Sequence, residues 1–199
     1  LDVSGHGVSA SLLSVTLSRV LIPRRDPSCL MIKTHRAPEA ETLVSPAEIA
    51  TRLNSMFPMS EEGRQYFTLI YGILNIRNGV FRYTCAGHPP PLYLAPNQSM
   101  RQCEVGNVPI GLFEDSHYDE GIIQLEAGGR LYLYSDGLIE AKNMSREFFG
   151  ETRLQESLKM TQQSTVQLSV DSTVKAVLDW TGNNHAQDDL SVLAFEWTP

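Results

Sequence analysis

The middle of this chain constrains its fold most strongly. Tyr66 to Ile76 is rich in aromatic and aliphatic residues, Asn78-Gly79 follows, and Val80 to Ala86 resumes the same character. Asn-Gly is the dipeptide that a tight hairpin turn selects, because both residues tolerate positive φ. The two runs therefore predict antiparallel strands joined by a two-residue loop. Gly87-His88-Pro89-Pro90-Pro91 then interrupts pairing, since proline has no N–H to give to a ladder, and His88 is read as ordering that turn. Further strands are expected over Leu92 to Ala95, near Met100 to Cys103 and Gly121 to Leu125, and over Arg130 to Ser135. In the last of these Leu131 and Leu133 alternate with Tyr132 and Tyr134, as in a sheet covered on both faces.

Helical patterns flank this block. Leu13, Leu17, Val20 and Leu21 repeat at helical spacing within Ser9 to Ile22, and Pro23 ends the run. Small residues in its first turns allow close approach to Gly5-His6-Gly7, either as plain packing or with the helix N–H groups turned to an anion. Arg24 to Val44 has no steady period and reads as a long loop, a candidate for partner contact or an idle insertion. Ser45-Pro46-Ala47-Glu48 is a capping-box start, with Ile49, Ala50, Leu53 and Phe57 on the buried face of the helix that follows. Two helices are expected later. One runs over Glu151 to Met160 with Leu154 and Leu158 inward, and the other over Val166 to Trp180 with Val170, Val174, Val177 and Leu178 on one stripe. A last strand covers Leu190 to Trp197. The order is neither a regular β-α alternation nor all-β, so the expected class is α+β, with sheets covered by helices in one domain over residues 1–199.

A formal charge of −7 without a basic stripe excludes nucleic acid as the main partner. The three cysteines, Cys29, Cys85 and Cys103, have no metal-ligand spacing and read as reduced and structural, in a cytoplasmic protein. No apolar run approaches the roughly 18 residues a membrane span needs. The first residues read as a strand already in progress, which implies a longer parent protein.

Three stretches share a layout: Leu1-Asp2-Val3-Ser4-Gly5-His6-Gly7, Tyr134-Ser135-Asp136-Gly137 and Gln187-Asp188-Asp189-Leu190. In each, a carboxylate stands at an expected strand boundary. Asp-Gly is by itself a common turn dipeptide, and Asp188-Asp189 suits a cap before a strand. Brought together, the three aspartates are hard oxygen ligands that suit magnesium or manganese and not zinc. Two such ions clamp a phosphate and generate hydroxide near neutral pH, without a serine or cysteine nucleophile. His6, His35, His88, His117 and His185 are too scattered for a zinc site, and Ser4 lacks the setting of a hydrolase elbow.

Five ordered motifs now combine: Asp2-Val3-Ser4-Gly5-His6-Gly7, Ala86-Gly87-His88-Pro89-Pro90-Pro91, Val108-Pro109-Ile110-Gly111-Leu112, Tyr134-Ser135-Asp136-Gly137-Leu138-Ile139-Glu140-Ala141 and Asp188-Asp189-Leu190-Ser191-Val192. Together with Phe148-Phe149-Gly150, the set resembles the PPM-type serine/threonine phosphatases of the protein phosphatase 2C superfamily, and within them the bacterial SpoIIE-like branch. The resemblance implies an α-β-β-α sandwich of two antiparallel sheets flanked by helices, with two Mn2+ or Mg2+ ions at one end. It implies hydrolysis of phosphoserine or phosphothreonine by metal-activated water. Asp2 would bridge the ions, the carbonyl of Val3 would help hold one, Asp136 and Asp188 would complete the protein ligands, and Asp189 would stand behind them. The implied partner is a phosphorylated STAS-type anti-sigma-factor antagonist, with a receiver or other sensory domain upstream in the same chain. A catalytically inactive phosphoprotein- or STAS-binding module of the same fold is the alternative.

The family pattern also has a Gly-Asp on an earlier strand, whose aspartate is a further ligand. N-terminal strands are therefore expected to be missing here, and this stretch alone is expected to bind little metal. The wider superfamily reads Asp-Gly-His-Gly, whereas an extra residue separates Asp2 from Gly5-His6 here, so His6 is given no role.

Overall fold

The computed structural model describes residues 1–5, 7–22, 30–33, 42–58, 65–182 and 188–199. In chain order the elements are β1 (Asp2–Val3), α1 (Val8–Val20), β2 (Ile32–Lys33), β3 (Thr42–Leu43), α2 (Pro46–Met56), β4 (Phe67–Asn75) and β5 (Val80–Ala86). There follow β6 (Leu92–Leu94), β7 (Met100–Gln102), β8 (Gly121–Gln124), β9 (Arg130–Tyr134), α3 (Asp136–Ile139), α4 (Gly150–Met160), α5 (Val166–Trp180) and β10 (Val192–Glu196). Two four-stranded antiparallel sheets result, ordered β1-β4-β5-β8 and β10-β9-β6-β7, and β2 pairs with β3. With helices flanking the sheets, the class is α+β, as the element order predicts.

The chain divides into two compact units. One comprises Leu1–Ile73, Arg82–His88 and Val105–Ile122, and the other Leu74–Phe81, Pro89–Glu104 and Ile123–Pro199. Each has its own helix-on-sheet core. In the first, Leu17 of α1 and Ile49, Ala50 and Leu53 of α2 pack with Phe67, Leu69, Ala86 and Ile110. Large side chains buried this way contribute about 1.5–3 kcal/mol each. Leu13, Val20 and Leu21 lie against the same cluster, as their spacing predicts. The second core sets Leu154 and Leu158 of α4 and Val177 of α5 against Leu92, Leu94, Tyr132 and Tyr134.

The start of α2 follows its sequence signal. The Ser45 hydroxyl accepts from the Glu48 amide at 3.3 Å, and Pro46 occupies the first turn. The Glu48 carboxylate is engaged by Arg52 one turn on, at 2.7 Å. Part of the 24–44 stretch lies outside the described residues, as do Pro23 and Cys29. Within it, however, β2 and β3 pair, and Leu30, Met31 and Val44 join the first core, so the stretch is not wholly loop.

Two expectations need correction. The β4–β5 connection is a four-residue turn over 76–79, closed by Gly79 N donating to Asn75 O at 2.9 Å, and not a two-residue loop. The side chains decide this, because Asn75 Oδ1 accepts from Arg77 N and Asn78 Oδ1 from Val80 N. In α5 the buried line is Ser169, Thr173 and Val177; Val170 and Val174 are half-buried and Leu178 is exposed. The two hydroxyls can be inside because they are bonded. Ser169 Oγ pairs with Tyr132 Oη at 3.0 Å and Thr161 Oγ1 at 2.8 Å, and Thr173 Oγ1 donates to Ser169 O at 2.9 Å. Asp136 stands just past the end of β9, at the expected strand boundary, and is the first residue of the one-turn helix α3.

Two braces hold loops to these cores. Arg130, 5% exposed, pairs with Glu196 at 2.7 Å and donates to the carbonyls of Thr161 and Ser164, which ties the α4–α5 connection to β9. Asn54, 2% exposed, holds the Val108–Leu112 motif and the residues after it. Its Oδ1 accepts from Gly111 N at 2.8 Å and Tyr118 Oη at 3.0 Å, and its Nδ2 donates to the carbonyls of Phe113 and Glu114. Gly111 has φ +84°, and a Cβ there would stand 2.6 Å from the Phe57 carbonyl, so no other residue fits.

Asn54→Ala removes four hydrogen bonds at once, that of the buried Gly111 amide among them, and is expected to lower stability by about 2–3 kcal/mol in urea unfolding, where an unchanged midpoint would contradict the brace. Cys85 is buried with its thiol donated to the His88 carbonyl, and desolvation pushes its pKa up to about 11. Iodoacetamide at neutral pH is expected to leave Cys85 unmodified in the native protein and to alkylate it in urea, as read by peptide mass spectrometry; native modification at the unfolded rate would refute this.

Candidate functional site

In the first unit, Asp2 sits on β1, a two-residue strand held by little local structure. Its register comes from β4, with Asp2 opposite Thr68 and Val3 opposite Phe67. Ser4 extends the pairing, since its amide donates to Tyr66 O at 2.9 Å and its hydroxyl accepts from Tyr66 N at 3.0 Å. Val3 packs toward the first core, and alternation sends Asp2 to the opposite face of the strand. Asp2 is half-buried there.

In the second unit, β9 delivers Asp136 and the residues before β10 deliver Asp188 and Asp189. One hydroxyl joins the two strand ends. Ser135 Oγ donates to Asp189 O at 2.8 Å and accepts from Ser191 N at 3.0 Å, while Ser135 N donates to Ser191 O at 3.0 Å. Ser135 precedes α3 yet makes no side-chain cap, because its hydroxyl is committed to this junction. Gly137 makes the junction tight, for a Cβ there would meet Asp189 O at 2.6 Å and Asp188 Cβ at 3.4 Å. Asp136 and Asp188 therefore occupy adjoining loops. Each carboxylate is fixed by the next amide, Gly137 N to Asp136 Oδ1 at 2.9 Å and Asp189 N to Asp188 Oδ1 at 2.8 Å.

The donor set is all oxygen, which fits a hard divalent cation such as Mg2+ or Mn2+ and does not suit zinc. Among the described residues, no three His, Cys, Asp or Glu side chains stand close enough to hold an ion between them. Asp136 and Asp188 come as neighbours, and Asp2 belongs to the other unit. His6 and Gln187 lie outside the described residues, and Cys85 and Cys103 are reduced, buried thiols with raised pKa values through desolvation.

Sequence reasoning missed Ser135, Gly137 and Thr68 as working parts of these loops. Ser135 and Gly137 flank Asp136 in the Tyr134–Ala141 motif, but nothing local in the sequence shows that both face the Asp188 loop. Thr68 carried one faint signal, a polar residue at an alternating position between buried Phe67 and Leu69. Its Oγ1 lies 2.9 Å from His88 Nδ1, so His88 does more than order its turn.

Residues 1–198 match the family model described as Stage II sporulation protein E (SpoIIE). The chain is 30% identical over 140 residues to the phosphoserine phosphatase RsbP of Bacillus subtilis (strain 168), which covers 70% of this chain and 32% of that protein. The solved RsbU and RsbW domains of a Mycobacterium tuberculosis protein share the fold with a TM-score of 0.71 at 26% identity, over 99% of this chain and 50% of that one. The SiaA-PP2C domain of Pseudomonas aeruginosa gives a TM-score of 0.69 at 18% identity, over 98% of this chain and 72% of that one, a likeness of fold alone. The chain thus spans about a third of RsbP and half of the solved mycobacterial chain. With a family match over residues 1–198 and the two-sheet, helix-flanked fold of these solved relatives, the chain belongs to the SpoIIE family.

Proposed function

We propose that this chain is the catalytic domain of a metal-dependent protein serine/threonine phosphatase. Its substrate class is a phosphorylated STAS-type antagonist of an anti-sigma factor, and a receiver or other sensory domain stands upstream in a longer cytoplasmic protein. The name of RsbP, phosphoserine phosphatase, supports the reaction class. Partner switching is supported by a solved relative that carries RsbU and RsbW domains in one chain.

The observation that carries the proposal is the Ser135 junction, which sets two acceptor-only carboxylates in adjoining loops with their planes fixed. Asp2, the Val3 carbonyl, Asp136 and Asp188 are the ligands in this reading. Asp189 supports Asp188 through its amide and the junction through its carbonyl. When bound, divalent cations polarise phosphoryl oxygens and lower the pKa of a coordinated water. The chain's own task is to hold its carboxylates oriented, so that little reorganisation is needed when the phosphoryl group arrives. The Cys85 thiol is a poor competitor as nucleophile, because it is buried and its pKa is pushed up to about 11.

The full-length protein is expected to release phosphate from a phosphoserine peptide or p-nitrophenyl phosphate with Mn2+ and to stop on addition of chelator. Asp136→Ala is expected to lower kcat/KM by about 100-fold or more, about 2.7 kcal/mol of transition-state stabilisation. Equal rates with and without chelator, or an unaffected Asp136 variant, would sink the metal mechanism. Stoichiometric capture of the phosphorylated partner without phosphate release would instead support the binding-module alternative. Gly137→Ala drives a methyl group into the Asp189 carbonyl and is expected to lower Mn2+ affinity by about 10-fold with the second core still folded; unchanged Mn2+ titrations in this variant would remove the junction from the account.

A further inference from the structure

Asp2 has a neighbour whose side chain is itself held in place. In an antiparallel pair, residues directly opposite one another project to the same face with Cβ atoms about 4.5–5.5 Å apart. Thr68 stands opposite Asp2, while Phe67 and Leu69 on either side of it point into the first core. The Thr68 hydroxyl therefore stands on the same face of the sheet as the Asp2 carboxylate. On its other side, Thr68 Oγ1 lies 2.9 Å from His88 Nδ1.

His88 is fixed independently of Thr68. Its carbonyl accepts the Cys85 thiol, and the residue before it, Gly87, bridges Leu69 and donates its amide to Asn107 O at 2.9 Å. The imidazole thus hangs from backbone anchored on both β4 and the 105–111 loop. A hydroxyl can donate only one hydrogen, so the direction of the His88–Thr68 bond decides what Thr68 offers to Asp2. If Nδ1 were bare, Thr68 would spend its hydrogen on the ring. If Nδ1 carries the hydrogen, Thr68 accepts from the ring, and its own O–H remains to be given to an anion.

We infer that His88 Nδ1–H donates to Thr68 Oγ1, which leaves the Thr68 hydroxyl hydrogen to be given to the Asp2 carboxylate when that carboxylate holds a divalent cation, so that Thr68 and His88 are positioning residues for Asp2. The inference rests on the reading of Asp2 as a metal ligand. A ligating carboxylate accepts hydrogen bonds from a supporting shell that fixes which oxygen faces the ion, and loss of such support costs metal affinity by about 10–100-fold.

The test uses the full-length protein and reads Mn2+ binding directly by titration calorimetry, the Mn2+ concentration that half-saturates phosphate release, and the melting temperature without metal. Thr68→Val is expected to weaken Mn2+ binding by about 10-fold or more and Thr68→Ser to restore it, with melting temperatures alike. His88→Asn, which keeps a donor near Nδ1, is expected to bind Mn2+ more tightly than His88→Leu, so the pair of histidine variants decides the matter if Thr68→Val fails to fold. Wild-type Mn2+ affinity in a folded Thr68→Val, or equal affinities in His88→Asn and His88→Leu, would overturn the inference while leaving the phosphatase reading intact. A wild-type protein that takes up no Mn2+ would overturn both.

Discussion

Strand ends can aim carboxylates only if the ends themselves are fixed, and in the second unit one hydroxyl does the fixing. Ser135 Oγ gives its hydrogen to Asp189 O and takes one from Ser191 N, so the exit of β9 and the approach to β10 are locked together beyond their ladder. Everything that makes Asp136 and Asp188 useful follows from that lock. The missing side chain of Gly137 lets the two loops touch, and each aspartate then has its plane set by the amide that follows it.

The same economy appears in the first unit, where family motifs act as braces for one another. The 108–112 motif is pinned by Asn54 from α2, and Gly87 of the proline-rich turn donates to Asn107 just before that motif. Thr84 and Asn107 both bond the Asp119 carbonyl, and Asn107 also donates to Thr84 Oγ1. Buried polar groups that are fully bonded cost little and specify one arrangement, whereas an apolar contact of similar size would tolerate sliding. The motifs therefore read as a list of places where backbone must approach backbone.

Much of the fold was legible because its signals are local. Ser45-Pro46 with Glu48 announces α2, and the β4 and β5 runs announce a hairpin, since capping and alternation are written within a few residues. The failures were equally physical. A hydrophobic stripe was drawn through Val170 and Leu178, whereas the buried line of α5 passes through Ser169 and Thr173, whose hydroxyls are satisfied by Tyr132, Thr161 and backbone far away in sequence. The turn at 76–79 was set by two asparagine side chains and not by the Asn-Gly dipeptide alone. At the candidate site the carboxylates stood out because charged residues at strand ends are conspicuous. Their supports did not, because Ser135, Gly137 and Thr68 acquire meaning only from partners 54, 52 and 66 residues away, Asp189 for the first two and Asp2 for the third.

The central claim is that these aspartates are metal ligands, and the most direct measurement is anomalous diffraction from crystals of the full-length protein soaked in Mn2+. The account predicts anomalous peaks bonded to carboxylate oxygens of Asp2, Asp136 and Asp188 and to the Val3 carbonyl, at the roughly 2.0–2.2 Å expected of a small hard divalent ion. Peaks confined to other residues, or none at Mn2+ concentrations that support phosphate release, would contradict it.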